Sequence, residues 1–315
     1  MFRRLGIHPA LALGIACFCI THAALAQTVY VSFAADSYVG QYTITSGALS
    51  GSNPAFISPG LTSADDLVIS GNSLYVSNFS NASVGSYNAT TGSGTASFAS
   101  SGMNEPYGVA VSGTDLYVAN FGFSASNINI YNATSGTLIT SNFITGLSSP
   151  TALIIAGSNL YVANSSGASV GAYDLATGQP LAGFSLTASS PFGLAASGTD
   201  LFVSNESAGT IGEYNALTGT AINSSFITGL THPEGLSILG SDLYVADAGS
   251  GKIVEYDITT GGTVNAGLIS GLFEPAGVAV IPEPSTWALL PVGALVLAFA
   301  VVRGAWARRS RGNAE

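Results

Sequence analysis

The apolar residues of this chain come in short runs set at regular intervals. The clearest run is Leu-Tyr-Val followed by a small residue and an amide, at Leu116–Asn120. It recurs at Leu74–Asn78, Leu160–Asn164, Leu201–Asn205 and Leu243–Asp247, with a degenerate copy at Val29–Phe33. Successive copies start 45, 42, 44, 41 and 42 residues apart. Being apolar on both faces, the run predicts a strand sandwiched between neighbouring layers. Before each full copy stands a turn such as Gly113-Thr114-Asp115 or Gly198-Thr199-Asp200, whose residues tolerate positive φ and signal a hairpin. Upstream of the turn runs Pro-x-Gly-apolar-x-apolar: Pro106–Val111, Pro191–Ala196, Pro233–Ile238 and Pro275–Val280. Pro150–Ile155 lacks the Gly, and Ala64–Ile69 lacks both Pro and Gly. Proline suits a strand's first residue, where no ladder donor is needed. Downstream, a third run ends on Tyr42, Tyr87, Tyr131, Tyr173, Tyr214 or Tyr256 and leads into a second Gly turn. A weaker fourth run (Thr95–Ser101, Ser141–Leu147, Leu181–Thr187, Ser224–Leu230 and Ala266–Leu272) predicts an exposed outer edge.

A unit of four such strands cannot bury its own apolar face, so neighbouring units must stack. A period near 42 residues is that of a β-propeller or related array. The chain opens on a strand of the second type and closes on one of the first type, Pro275–Ile281. That last strand can complete the unit begun by Val29–Phe33. The expectation is an all-β fold over residues 28–281: a six-bladed β-propeller closed by one C-terminal strand joining three N-terminal strands. Closure removes the large sheet edges that would otherwise aggregate. The copies YVSN and YVAN, followed about 30 residues on by Pro-x-Gly-Val-Ala-Val, resemble the YVTN and NHL-type β-propeller repeats. The resemblance implies the propeller fold and leaves the activity open, because such propellers host many.

Both ends read as addresses. Arg3 and Arg4 precede an apolar run from Leu5 to about Ile20, and Ala24-Leu25-Ala26 supplies small residues before Gln27. This predicts a secretory signal peptide over 1–26, cleaved between Ala26 and Gln27, and hence use of the Sec export machinery. Cys17 and Cys19, the chain's only cysteines, lie inside it, so the exported domain is expected to hold no disulfide and no thiolate site. At the other end, Pro282-Glu283-Pro284 leads into the uncharged run 286–302, long enough as a helix to cross a bilayer core. Arg303, Arg308, Arg309 and Arg311 follow, a basic stop expected to stay cytoplasmic. This order, over 282–315, resembles the bacterial PEP-CTERM sorting signal. The resemblance implies an exosortase as partner, transient anchoring in the inner membrane, cleavage near Pro282–Pro284, and delivery to the cell surface or extracellular matrix.

Charge narrows the partners. Between residues 28 and 281 stands one cation, Lys252, against fifteen Asp and Glu, a balance of +1 − 15 = −14. Such a surface repels nucleic-acid backbones. The mouth of the ring should be lined by residues beside the innermost strands: Asp65, Asp66, Glu105, Ser149, Ser190, His232, Glu234 and Glu274. Of these, Asp65, Asp66, Glu105, Glu234 and Glu274 form an acidic arc that could hold Ca²⁺, which prefers several oxygen ligands. The arc also distantly resembles that of metal-dependent lactonase propellers. Solvated charge at strand starts is the simpler expectation, since the carboxylates stand in two registers and no compact acidic loop accompanies them. His232 is the sole histidine after the signal segment, and no G-x-S-x-G elbow follows a strand into a helix, so no catalytic residue is assigned. The residues ending the second strands, Asn78, Asn120, Asn164, Asn205 and Asp247, are expected to serve turns, as Asn and Asp bond to nearby backbone. The leading expectation is a non-catalytic module that binds polysaccharide or another surface protein. The alternative is a metal-dependent hydrolase or lactonase working at the mouth.

Overall fold

The structure, a computed structural model, describes residues 26–58, 60–122 and 126–282. It is a six-bladed β-propeller, each blade a four-stranded antiparallel sheet. The first blade holds β1 (Gln27–Phe33), β2 (Tyr38–Thr45) and β3 (Ala48–Ile57). The second is β4 (Ala64–Ser70), β5 (Ser73–Asn78), β6 (Ser83–Asn88) and β7 (Gly94–Ala99). The third is β8 (Pro106–Ser112), β9 (Asp115–Asn120), β10 (Asn127–Asn132) and β11 (Leu138–Thr145). The fourth is β12 (Pro150–Ala156), β13 (Asn159–Asn164), β14 (Ser169–Asp174) and β15 (Leu186–Thr187). The fifth is β16 (Pro191–Ser197), β17 (Asp200–Asn205), β18 (Thr210–Asn215) and β19 (Ala221–Thr228). The sixth is β20 (Pro233–Leu239), β21 (Asp242–Asp247), β22 (Lys252–Asp257) and β23 (Thr263–Ser270). The last strand, β24 (Pro275–Pro282), returns to the first blade, whose order is β24-β1-β2-β3. The closure read from the strand count is therefore the closure observed. The expected signal peptide and the segment after Pro282 lie outside the described residues. Within those residues no helix is long and apolar enough to cross a membrane.

The fourth strands depart from expectation. In the third, fifth and sixth blades they begin three residues earlier than the apolar pattern suggested, because the half-buried Leu138 and the exposed Ala221 and Thr263 ends still pair with the third strand. In the fourth blade the expected Leu181–Thr187 strand shrinks to Leu186–Thr187. Pro180 supplies no ladder donor and forms only an isolated bridge with Tyr173, and Gly183 then turns the chain at φ +81°.

The core lies between blades. The Leu, Tyr and Val of each second strand are buried, with Val29 replacing Leu in the first blade and Phe202 replacing Tyr in the fifth. These tyrosines latch one blade to the next. The hydroxyls of Tyr30, Tyr75 and Tyr161 donate to the carbonyls of Ala89, Ala133 and Ala216 in the following blade, at 2.6, 2.6 and 2.8 Å. Tyr75→Phe leaves the Ala133 carbonyl buried without its donor. It is expected to cost about 1–3 kcal/mol, read as a lower urea midpoint at unchanged slope.

Nearer the axis, polar contacts tie five of the six blade junctions. Ser32 donates to the Asp65 carbonyl, and Thr151 to that of Phe192. Ser204 donates to the Glu234 carbonyl, and the Val280 N–H donates to Ser237. At the second junction the link is the Asp66 carboxylate, which accepts the Val109 N–H at 3.0 Å. The third residue of the inner strand is otherwise Gly or Ala, because blades meet closely there. A Cβ on Gly193 would stand 2.1 Å from the Glu234 carbonyl oxygen.

Candidate ligand-binding mouth

One end of the ring is built by the chain entering each inner strand and by the loop leaving each second strand. The entering residue is left-handed in all six blades: Ser63, Glu105, Ser149, Ser190, His232 and Glu274 have φ between +46° and +68°. Non-glycine residues hold that conformation only where surrounding bonds fix it. In five of the six blades two bonds do so. The side-chain oxygen of Asn78, Asn120, Asn164, Asn205 or Asp247 accepts the N–H of the residue just before it, at 2.6 to 3.2 Å. The carbonyls of Ser63, Glu105, Ser149, Ser190 and His232 in turn accept the N–H of the residue just after that Asn or Asp. The second-strand amides are thus structural clamps, and they are buried. Asn205→Ala is expected to destabilise by about 1–2 kcal/mol, read as a lower urea midpoint.

The clamp aims two sets of side chains at the mouth. One is the second residue of each inner strand: Asp65, Tyr107, Thr151, Phe192, Glu234 and Ala276. The other is the residue after the clamp, which includes Phe79, Phe121 and Glu206. Tyr107 and Phe192 reach across the fourth blade and meet edge-on, ring centres 5.4 Å apart at 84°. Phe79 and Phe121 back Tyr107 at 6.0 and 5.8 Å. The opposite side is acidic. A pocket of about 290 Å³ is walled by Tyr107, Glu206, His232, Glu234, Glu274 and the Ala248-Gly249 turn. Beneath it the inner strands enclose a channel of about 340 Å³ lined mainly by aliphatic side chains.

The electrostatics follow from burial among like charges. Asp65, only 6% exposed, has its carboxyl pushed up to about 7 by burial and by Asp66, against a hydrogen bond from Ser63. Asp66 is also raised to about 7 by burial, although the Val109 and Leu67 N–H groups bond to it. Glu234 is raised to about 8 by burial and then by Glu206, Asp65 and Glu274. Burial, followed by the charges of Asp65, Glu234, Asp66 and Glu206, holds the Tyr107 phenol well above its ordinary value. Among the described residues the buried side-chain atoms without a hydrogen-bond partner are the Tyr87 hydroxyl and Oε2 of Glu105, whereas Glu234 and Tyr107 stand half-buried on the pocket wall.

The five acidic residues singled out in the sequence do not converge. Among the described residues, no three His, Cys, Asp or Glu side chains stand as a group that could hold a metal ion. Asp66 is committed to two backbone N–H groups, Leu67 at 2.8 Å and Val109 at 3.0 Å. Asp65, Glu234 and Glu274 share one electrostatic field. Tyr107, Phe192 and Glu206 were not among the expected mouth residues, although they occupy the variable position of Pro-x-Gly and the position after Asn.

Searches of protein-family models and of curated proteins find no match. Solved structures do match. A chain of a nidogen/laminin complex aligns at TM-score 0.68 and 15% identity, over 81% of this chain and 98% of that one. A protein of unknown function from Bacteroides caccae aligns at TM-score 0.60 and 18% identity, over 82% and 99%. The computationally designed Ika8 protein aligns at 0.51 and 16%, over 81% and 90%. At such identities the likeness is one of fold.

Proposed function

We propose that this chain is an exported binding propeller of the YVTN/NHL type, displayed on the cell surface or in the extracellular matrix, whose mouth recognises a polysaccharide or surface protein. In this reading residues 1–26 are a signal peptide, 28–281 the propeller, and 282–315 a PEP-CTERM signal with a membrane helix over about 286–302. The observation that carries it is the placement of the ends. Gln27 pairs with Pro282, so the expected processing points sit side by side. From there β1 runs seven residues, roughly 20 Å, to Ala34 on the mouth pocket. A chain held through Pro282 therefore presents its mouth, with Glu206, Glu234 and Glu274 on the wall, away from the membrane. A binding module needs no more than this rigid, preorganised concavity. A metal-dependent hydrolase would need converging ligands, and among the described residues no three His, Cys, Asp or Glu side chains stand together as such a group.

The address is tested by Glu283→Ala in the exporting cell, with surface labelling of the propeller and sizing of the mature chain. Retention of the unprocessed chain in the membrane is expected. Unchanged processing and display would overturn the sorting assignment.

A further inference from the structure

We infer that the mouth pocket binds the ammonium-bearing sugar unit of an amino glycan, a ligand class that deepens, and rests on, the polysaccharide-binding reading above.

Three observations converge on that chemistry. The first is a half-buried acid on the pocket wall with no cation beside it. Glu234 lies in the pocket wall with Glu206 and Glu274 beside it and Asp65 behind it, and its carboxylate accepts no hydrogen bond. The one cation among the described residues, Lys252, stands at the start of β22, whose Cα partners are Asp247 and Ser270. Holding a carboxylate partly out of water among like charges is costly, and an arriving cation relieves the cost. The second is the shape of the charge. The acids surround the cavity without meeting at a point, so they suit the N–H donors of an organic ammonium rather than the short bonds of a chelated metal ion. The third is the opposite wall. Tyr107 supplies the aromatic side of the pocket, and Phe192, meeting it edge-on, and Phe79 and Phe121 hold its ring in place. Such a wall accepts the C–H face of a sugar ring and favours a cation near it. At about 290 Å³ the pocket lies at the small end of ligand sites and has room for about one sugar ring.

These groups also predict a proton signature. Glu234 is held at about 8 by burial and by neighbouring acids, so below that pH an incoming ammonium displaces a proton from the acidic group.

The test is calorimetry on the full chain in detergent, with a glucosamine tetramer, its fully N-acetylated form, a glucose tetramer and tetralysine as probes. The glucosamine tetramer is expected to bind at least tenfold more tightly than the other three. Its binding should release protons, seen as a dependence of the heat on the buffer used. Glu234→Gln and, separately, Glu206→Gln should each weaken it about tenfold while leaving the melting temperature no lower. If the acetylated and free-amine tetramers bind alike, the ammonium assignment falls and glycan binding stands. If tetralysine binds best, a protein partner replaces the glycan. If no probe binds at millimolar concentration, the inference and the glycan reading fall together.

Discussion

Raising the pH from about 5 to about 8 is expected to lower the melting temperature of this propeller by roughly 10 °C. The groups responsible are Asp65 and Asp66, raised to about 7, and Glu234, raised to about 8. A carboxyl whose folded value lies above its unfolded value binds more protons in the native state. Stability is then fully present below the unfolded value, near 4, and is lost as pH climbs through the folded value. Moving one carboxyl from 3.8 to about 7 corresponds to about 4 kcal/mol. The three acids interact, so one group sets the scale of the effect better than a sum of three. Asp174 and Asp257 act in the opposite sense. Hydrogen bonds from Thr177, and from Thr259 and Thr260, lower them, so their turn-capping contribution is present above about 4 and fades as pH falls below it. The melting temperature should therefore peak near pH 4. The combined variant Asp65→Asn, Asp66→Asn, Glu234→Gln keeps the side-chain shapes and one of the two acceptors that serve Leu67 and Val109, and it should flatten the slope between pH 5 and 8. A wild-type melting temperature that stays level or rises over that range would overturn the account.

The sequence shows the blades and hides the mouth for the same physical reason. A blade core repeats because every junction poses the same packing problem, so Leu-Tyr-Val and the Gly turns recur with a fixed period. The Asn clamps were legible as turn residues because they repeat with the strands. The mouth is the one place where the six blades must differ. Its wall comes from the variable residue of Pro-x-Gly, where Asp65, Tyr107, Thr151, Phe192, Glu234 and Ala276 share nothing but their register. Glu206 becomes a mouth residue only once the ring closes and its loop turns inward. Asp66 shows the limit most clearly. In the sequence it is a carboxylate where other blades have Gly or Ala. In the ring it fills the space those residues leave and captures the Val109 N–H of the next blade, a role visible only with the neighbouring strand in place.

Ending the chain after Glu274 is expected to abolish the cooperative fold. β24 is the innermost strand of the first blade, pairing with β1 from Gln27↔Pro282 to Phe33↔Pro275. It also packs against β20 and β4, the inner strands on either side. Its Ala276, Val278 and Val280 are at most 8% exposed, and its loss would uncover Val29 and Val31, which are 0% exposed. Burial of each valine contributes about 1.5–3 kcal/mol, so losing this strand removes an amount comparable to the 5–15 kcal/mol by which a domain is stable. The relay from the Gly277 N–H to Ser32 (2.8 Å), and from Ser32 to the Asp65 carbonyl (2.9 Å), disappears with it. The inner edge of β1 would then be open to pair with another chain. Loss of the calorimetric transition together with oligomers on gel filtration is the expected result. A monomer that melts cooperatively would show that the ring closes without the innermost strand of the first blade. Gly277→Val tests the same junction in the intact chain. A Cβ there would stand 2.6 Å from the Ser32 hydroxyl and 3.1 Å from the Asp65 carbonyl oxygen, so strand and blade must separate. The cost should be about 1–3 kcal/mol. Ser32→Ala in the same background should add little, because Gly277→Val has already broken the relay that Ser32 completes.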